Sequence, residues 1–232
     1  MPKILTVLTG ADHWTLSDGT KHPTGFWAEE LLAPLAVFDE AGIDVDLASP
    51  GGRTPVVDEG SLDPGAIGEE ESAKQRAALD ALQGRLASTL VLADVDLDDY
   101  DAVFVPGGHG PMEDLAVDDD LGRVLVTMLD AGKVVSSVCH GPAGLLPATR
   151  EDGSWLFEGR ELTAFTDAEE KQAGLADKAP WLLESRLRES GASFSSGEPW
   201  APFVVVDGRL VTGQNPASST QAAQEVVKLL QG

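Results

Sequence analysis

Short β-branched apolar runs alternate along the chain with longer segments in which apolar and polar residues are interleaved. Lys3–Thr9 is such a run and reads as a buried strand. The polar stretch 10–23 reads as loop, and a helix is expected from about Thr24 to Ala41, ended by Gly42. Asp44–Ser49 reads as a second strand closed by Pro50-Gly51-Gly52, and 53–68, rich in Pro, Gly and Asp, as loop. Glu69–Leu86 has helical composition, with Ala77, Leu79, Ala81 and Leu82 supplying apolar positions. Asp101–Pro106 is a short buried strand that runs into Gly107-Gly108-His109-Gly110. Leu115–Ala131 is helical up to Gly132, and Val134–Val138 is a strand delivering Cys139-His140-Gly141-Pro142. Residues 155–166 read as two short strands around Glu158-Gly159, and Pro180–Ser190 as a helix ending at Gly191. Phe203–Val211 is a hairpin turning on Asp207-Gly208, and Ser218–Leu230 a closing helix.

Strands alternating with helices predict an α/β fold, a mostly parallel sheet sandwiched by helices. The segments 155–166 and 203–211 should add antiparallel edges or a small β-hairpin/helix cap. No repeat, low-complexity tract or linker interrupts the pattern, so residues 1–232 are read as one domain. Charge narrows the partners. With 16 basic and 39 acidic side chains the net charge is -23, a surface that repels phosphate backbones and anionic lipid. Nucleic acid and membrane are therefore not expected partners. No run of eighteen apolar residues occurs, and the first residues lead straight into a strand; a cytoplasmic protein is expected.

The chain has one cysteine, which excludes an internal disulfide and argues against a cysteine-based zinc site. In open α/β sheets, sites form beyond the carboxyl ends of the strands. Two glycine-rich strand ends belong there: Pro106–Gly110 and Cys139–Pro142. A strand that stops at cysteine with a helix starting at once is the geometry of a nucleophile elbow. Such a turn exposes the sulfur, and the first helical amides favour a thiolate or a nearby oxyanion. Gly107 and Gly108 either complete an oxyanion hole or only make a tight turn. His140 is the nearest proton acceptor in sequence, and His109 on the neighbouring loop could face the same pocket. Among the acids, Glu29 and Glu30 near the start of the first helix and Glu169 and Glu170 after the segment Leu162–Thr166 can reach the strand ends, or they lie on solvated faces. No phosphate loop, dinucleotide fingerprint or metal-ligand cluster is present, so no cofactor and no metal are expected.

At Ala102–Gly110 and Val138–Ala143 the chain resembles the ThiJ/PfpI superfamily, whose flavodoxin-like core is similar to class I glutamine amidotransferases. Ser17–Gly19, Gly25–Pro34, Leu162–Glu170 and Asp207–Ser218 carry the likeness further, toward the heat-shock chaperone and glyoxalase III branch. The resemblance implies Cys139 as nucleophile, His140 and Glu170 as its triad partners, and Glu30 against the sulfur. It also implies an oxyanion hole from the amides of Gly108 and His140. Glu169 departs from the small residue common at that position, which leaves Glu169 and Glu170 as rivals for the triad acid. The implied activity is a cofactor-independent, glutathione-independent glyoxalase that turns methylglyoxal, a small 2-oxoaldehyde, into lactate. A holding chaperone, a protein deglycase and a cysteine amidase or peptidase are the alternatives, and a homodimer is the implied assembly.

Overall fold

The computed structural model describes residues 2–232. In chain order the strands are β1 (Lys3–Val7), β2 (His13–Thr15), β3 (Lys21–Pro23), β4 (Asp44–Ser49), β5 (Leu90–Val91), β6 (Ala102–Val105), β7 (Val134–Val138), β8 (Glu161–Leu162), β9 (Ser193–Phe194), β10 (Val204–Asp207) and β11 (Leu210–Gly213). The helices are α1 (Ala28–Glu40), α2 (Pro64–Ile67), α3 (Glu69–Leu86), α4 (Gly110–Glu113), α5 (Asp119–Asp130), α6 (Asp167–Ala173), α7 (Leu183–Glu189) and α8 (Ser219–Gln231). Seven strands form one sheet in the order β10-β11-β7-β6-β1-β4-β5, parallel throughout except for the β10–β11 hairpin. This is the flavodoxin-like α/β fold.

Alternation within the strands divides the core between the two faces of the sheet. Leu5, Val103, Val105 and Val135 pack with Leu121, Val124, Leu125 and Met128 of α5, all fully or almost fully buried. Ile4, Ala102, Phe104 and Val134 turn to the other side, against Phe38 of α1 and Ala222, Ala223 and Val226 of α8. Each large aliphatic side chain so buried stabilises the fold by about 1.5–3 kcal/mol. Among the described residues no helix is long and apolar enough to cross a membrane.

The β10–β11 hairpin forms on Asp207-Gly208 as expected. Four other expectations are corrected. The first helix begins at Ala28 rather than Thr24, because Phe26 stays extended and bridges Val57. The stretch 115–131 is divided at Asp118, whose carboxyl caps α5 by accepting from the Leu121 amide at 2.8 Å. Residues 155–166 do not pair with each other as two strands. Instead β8 runs parallel to β9, and the Asp207 carboxyl fixes it to the β10–β11 hairpin by accepting from the Glu161 amide at 3.1 Å. The stretch 10–23 holds a hairpin, β2–β3, with Trp14 opposite His22. Glu113 of α4 anchors this hairpin by accepting from the Thr15 amide at 2.7 Å and the Thr15 hydroxyl at 2.9 Å.

Candidate active site

The adjacent strands β6, β7 and β11 end side by side, and β7 ends in Cys139. Its amide donates to the Gly213 carbonyl at 2.9 Å, and its carbonyl accepts from the Phe165 amide at 2.8 Å. Tied on both sides, Cys139 adopts φ +58°, a left-handed conformation that few residues other than glycine tolerate. Beyond His140 the chain forms a 3-10 turn, Gly141–Leu145, not the α-helix expected from sequence. The turn lies so close to β6 that a side chain at Gly141 would run into the Val105 carbonyl and the Ser137 hydroxyl. The sulfur is not exposed as an elbow alone would suggest, since Cys139 is only 3% accessible.

Four side chains form a connected line from the sulfur. Cys139 Sγ lies 3.3 Å from His140 Nδ1, and His140 Nε2 lies 2.7 Å from Glu170 Oε2. The other Glu170 oxygen, Oε1, lies 3.0 Å from His109 Nε2. Burial would raise the Glu170 carboxyl, but the two imidazoles outweigh it and hold the group well below the usual carboxylate range. An ionised carboxylate only accepts, so both imidazoles present an Nε2–H to it. The Nδ1 lone pair of His140 then faces the thiol. Burial, reinforced by His109, lowers the His140 pKa to about 4, so the ring is neutral at pH 7 with Nδ1 open to a proton.

Glu30, in the first turn of α1, meets the glycine loop that follows β6. Its Oε2 accepts from the Gly107 amide at 2.6 Å, whereas Oε1 is buried without a partner. Burial raises the Glu30 pKa to about 8, against the opposing pull of the Cys139 thiol and the Gly107 amide. The carboxyl therefore keeps its proton at pH 7. Burial also pushes the Cys139 thiol up, with Glu30 adding to it, while the amides of Gly108 and His140 draw it down. Those two amides thus favour negative charge at the sulfur. Gly108 reaches this position with φ +86°, where a side chain would strike the Gly25 carbonyl.

Cys139, His140, Glu170, Glu30 and the Gly108 amide are thus brought to one place from separate segments of the chain. Glu169 goes elsewhere. Fully buried, it caps α6 by accepting from the Thr166 amide and hydroxyl, and it also accepts from Trp200, Gln214 and Asn215. Sequence reasoning named His109 only as a residue that could face the pocket; its hydrogen bond to Glu170 spans 61 positions and leaves no local signal. Trp14 stacks on His109 with ring centroids 5.1 Å apart. Trp200 meets Phe165, whose ring lies 4.3 Å from that of His140. Trp181 lies outside this group, under the Arg186 guanidinium. Among the described residues, His109, His140 and Glu170 form the one cluster with metal-ligand spacing. Their facing atoms are already joined by shared protons, which a cation would have to displace.

The DJ-1/PfpI family pattern matches residues 23–229. Glyoxalase 3 of Candida albicans is 35% identical over 98% of both chains. Glutathione-independent glyoxalase HSP31 of Saccharomyces cerevisiae is 32% identical over 98% of both. The crystal structure of glyoxalase III from Candida albicans superposes with a TM-score of 0.85 at 32% identity, covering 98% of this chain and 97% of that one. A family match over most of the length, joined to relatives above 30% identity across nearly all of it, establishes that the chain belongs to the DJ-1/PfpI family.

Proposed function

We propose that the protein is a cofactor-independent, glutathione-independent glyoxalase that converts methylglyoxal and water to lactate through Cys139. The observation that carries this reading is the thiol–imidazole contact at 3.3 Å, with the imidazole held by Glu170 at 2.7 Å. His140 Nδ1 takes the thiol proton as Sγ adds to the aldehyde carbon. The new carbon–sulfur bond turns the carbonyl oxygen into an alkoxide facing the Gly108 and His140 amides, and protonation gives a hemithioacetal. Removal of the hydrogen on that carbon by His140 forms an enediol. Return of the proton to the neighbouring carbon gives a lactoyl thioester, which water cleaves to lactate, restoring the thiol. Glu30, protonated and against the sulfur, donates a hydrogen bond as charge develops there.

The names of the two yeast relatives, Glyoxalase 3 and glutathione-independent glyoxalase HSP31, support this substrate class. The 3% accessibility of Cys139 favours a small free aldehyde over an adduct carried on a protein. The homodimer and the cytoplasmic location expected from sequence belong to the same reading. The test is purified protein with methylglyoxal and no glutathione, following lactate, beside Cys139→Ala. Lactate from the wild type alone is expected. A variant that still turns over methylglyoxal would sink the scheme.

A further inference from the structure

His109 is built into the fold as firmly as the groups it touches. It follows Gly108, whose φ of +86° sets the turn, and it is 8% exposed. Its ring is held between Trp14, stacked at 5.1 Å with an interplanar angle of 17°, and His140, with centroids 4.1 Å apart. The His22 ring meets it edge-on at 6.3 Å. Its Nε2 faces Glu170 Oε1 at 3.0 Å while Oε2 of the same carboxylate faces His140.

A carboxylate with one donor turns freely about its last bond, because that torsion is broad and two-fold. A second donor on the other oxygen removes the freedom. We propose that His109 is a positioning residue for the Cys139 reaction. Its Nε2–H fixes the plane of Glu170, and through Glu170 it fixes the ring and the tautomer of His140. The inference rests on the assignment of Cys139 and His140 as the reacting pair. It adds a second imidazole whose task is to keep the Nδ1 lone pair of the first aimed at sulfur. Without the His109 donor, Glu170 can rotate and His140 can populate the tautomer with its proton on Nδ1, which cannot accept from the thiol.

Two full-length variants separate donation from packing. His109→Phe keeps an aromatic ring on Trp14 and loses the donor; His109→Gln keeps a donor and loses the ring. For methylglyoxal, kcat of His109→Phe is expected to fall about 10- to 100-fold with KM almost unchanged, and His109→Gln to recover most of it. Nitrogen-15 spectra of labelled histidine should show His140 as the Nε2–H tautomer in the wild type and in His109→Gln, and as a mixture in His109→Phe. Recovery by Phe and not by Gln would make His109 a packing residue and overturn the inference. So would a His140 spectrum unmoved in His109→Phe. If the wild type fails to consume methylglyoxal while the tautomer still tracks the donor, the glyoxalase reading falls and the positioning role stands.

Discussion

Glu169 and Glu170 are adjacent in the chain, yet their carboxylates share no hydrogen-bond partner. Glu170 joins two imidazoles, while Glu169 binds only the Thr166 cap and the 198–215 region through Trp200, Gln214 and Asn215. Hydrogen bonds to a buried charged or strongly polar group contribute about 1.5–3 kcal/mol each, so Glu169→Ala should cost at least about 3 kcal/mol. Thermal unfolding should record that as a fall of about 6–12 °C. Glu170→Gln presents an amide N–H to one of two N–H donors and is expected to lower kcat about 100-fold or more while the melting temperature moves far less. The opposite pattern, with Glu169→Ala folded but inactive, would transfer the role to Glu169.

The proton on Glu30 sets a second expectation. The scheme needs His140 neutral and Glu30 protonated, so kcat/KM should fall below about pH 4 and above about pH 8. Glu30→Gln, which still donates a hydrogen bond, should lose the upper limb. An upper limb unchanged in that variant would assign it to another group.

The same carboxyl links stability to pH. The folded chain holds this proton up to about 8 while the unfolded chain releases it near 4.5, so rising pH across that window destabilises the fold. The slope is at most about 1.4 kcal/mol per pH unit. Relative to wild type, Glu30→Gln should therefore be more stable at pH 8 than at pH 5 in denaturant titrations. His140, lowered to about 4, acts in the opposite sense at lower pH and is common to both proteins.

Two glycines should respond to alanine with opposite signs. A methyl at Gly107 would lie 2.6 Å from the His140 amide nitrogen and 2.8 Å from Glu30 Oε2, so Gly107→Ala must push the site apart. A cost of about 1–3 kcal/mol with loss of activity is expected. Gly84, inside α3, has nothing within 4 Å of such a methyl, and Gly84→Ala should stabilise by about 1 kcal/mol with unchanged turnover. Melting curves and initial rates on both variants check the pair.

Legibility in the sequence tracks the range of the interactions. The buried strands β6 and β7 and the Asp207-Gly208 turn carry local signals, and they stand where the hydrophobic pattern puts them. The β2–β3 hairpin has no such signal, because each strand is three residues long and mostly polar, and it is held by Glu113, about a hundred positions away. Glu30 meets Gly107 across 77 positions and Glu170 meets His140 across 30. Position narrowed the 39 acids to the pairs Glu29/Glu30 and Glu169/Glu170 but could not choose within a pair, and family resemblance then pointed to Glu30 and Glu170. His109 fell between the two kinds of signal: its glycine-rich setting was visible, its partner was not.

The φ of +58° at Cys139 makes the nucleophile a misfit in its own backbone. A left-handed L-residue costs about 1–2 kcal/mol, and glycine would sit there without that cost. Cys139→Gly should therefore unfold at a higher temperature than Cys139→Ala, although both lack the thiol. If Cys139→Gly also melts above the wild type, selection for stability alone would erode the cysteine toward glycine, and continued use of the sulfur is what holds it in place. A member of this lineage that had abandoned its chemistry would be expected to show the loss first at this position, as a gain in robustness.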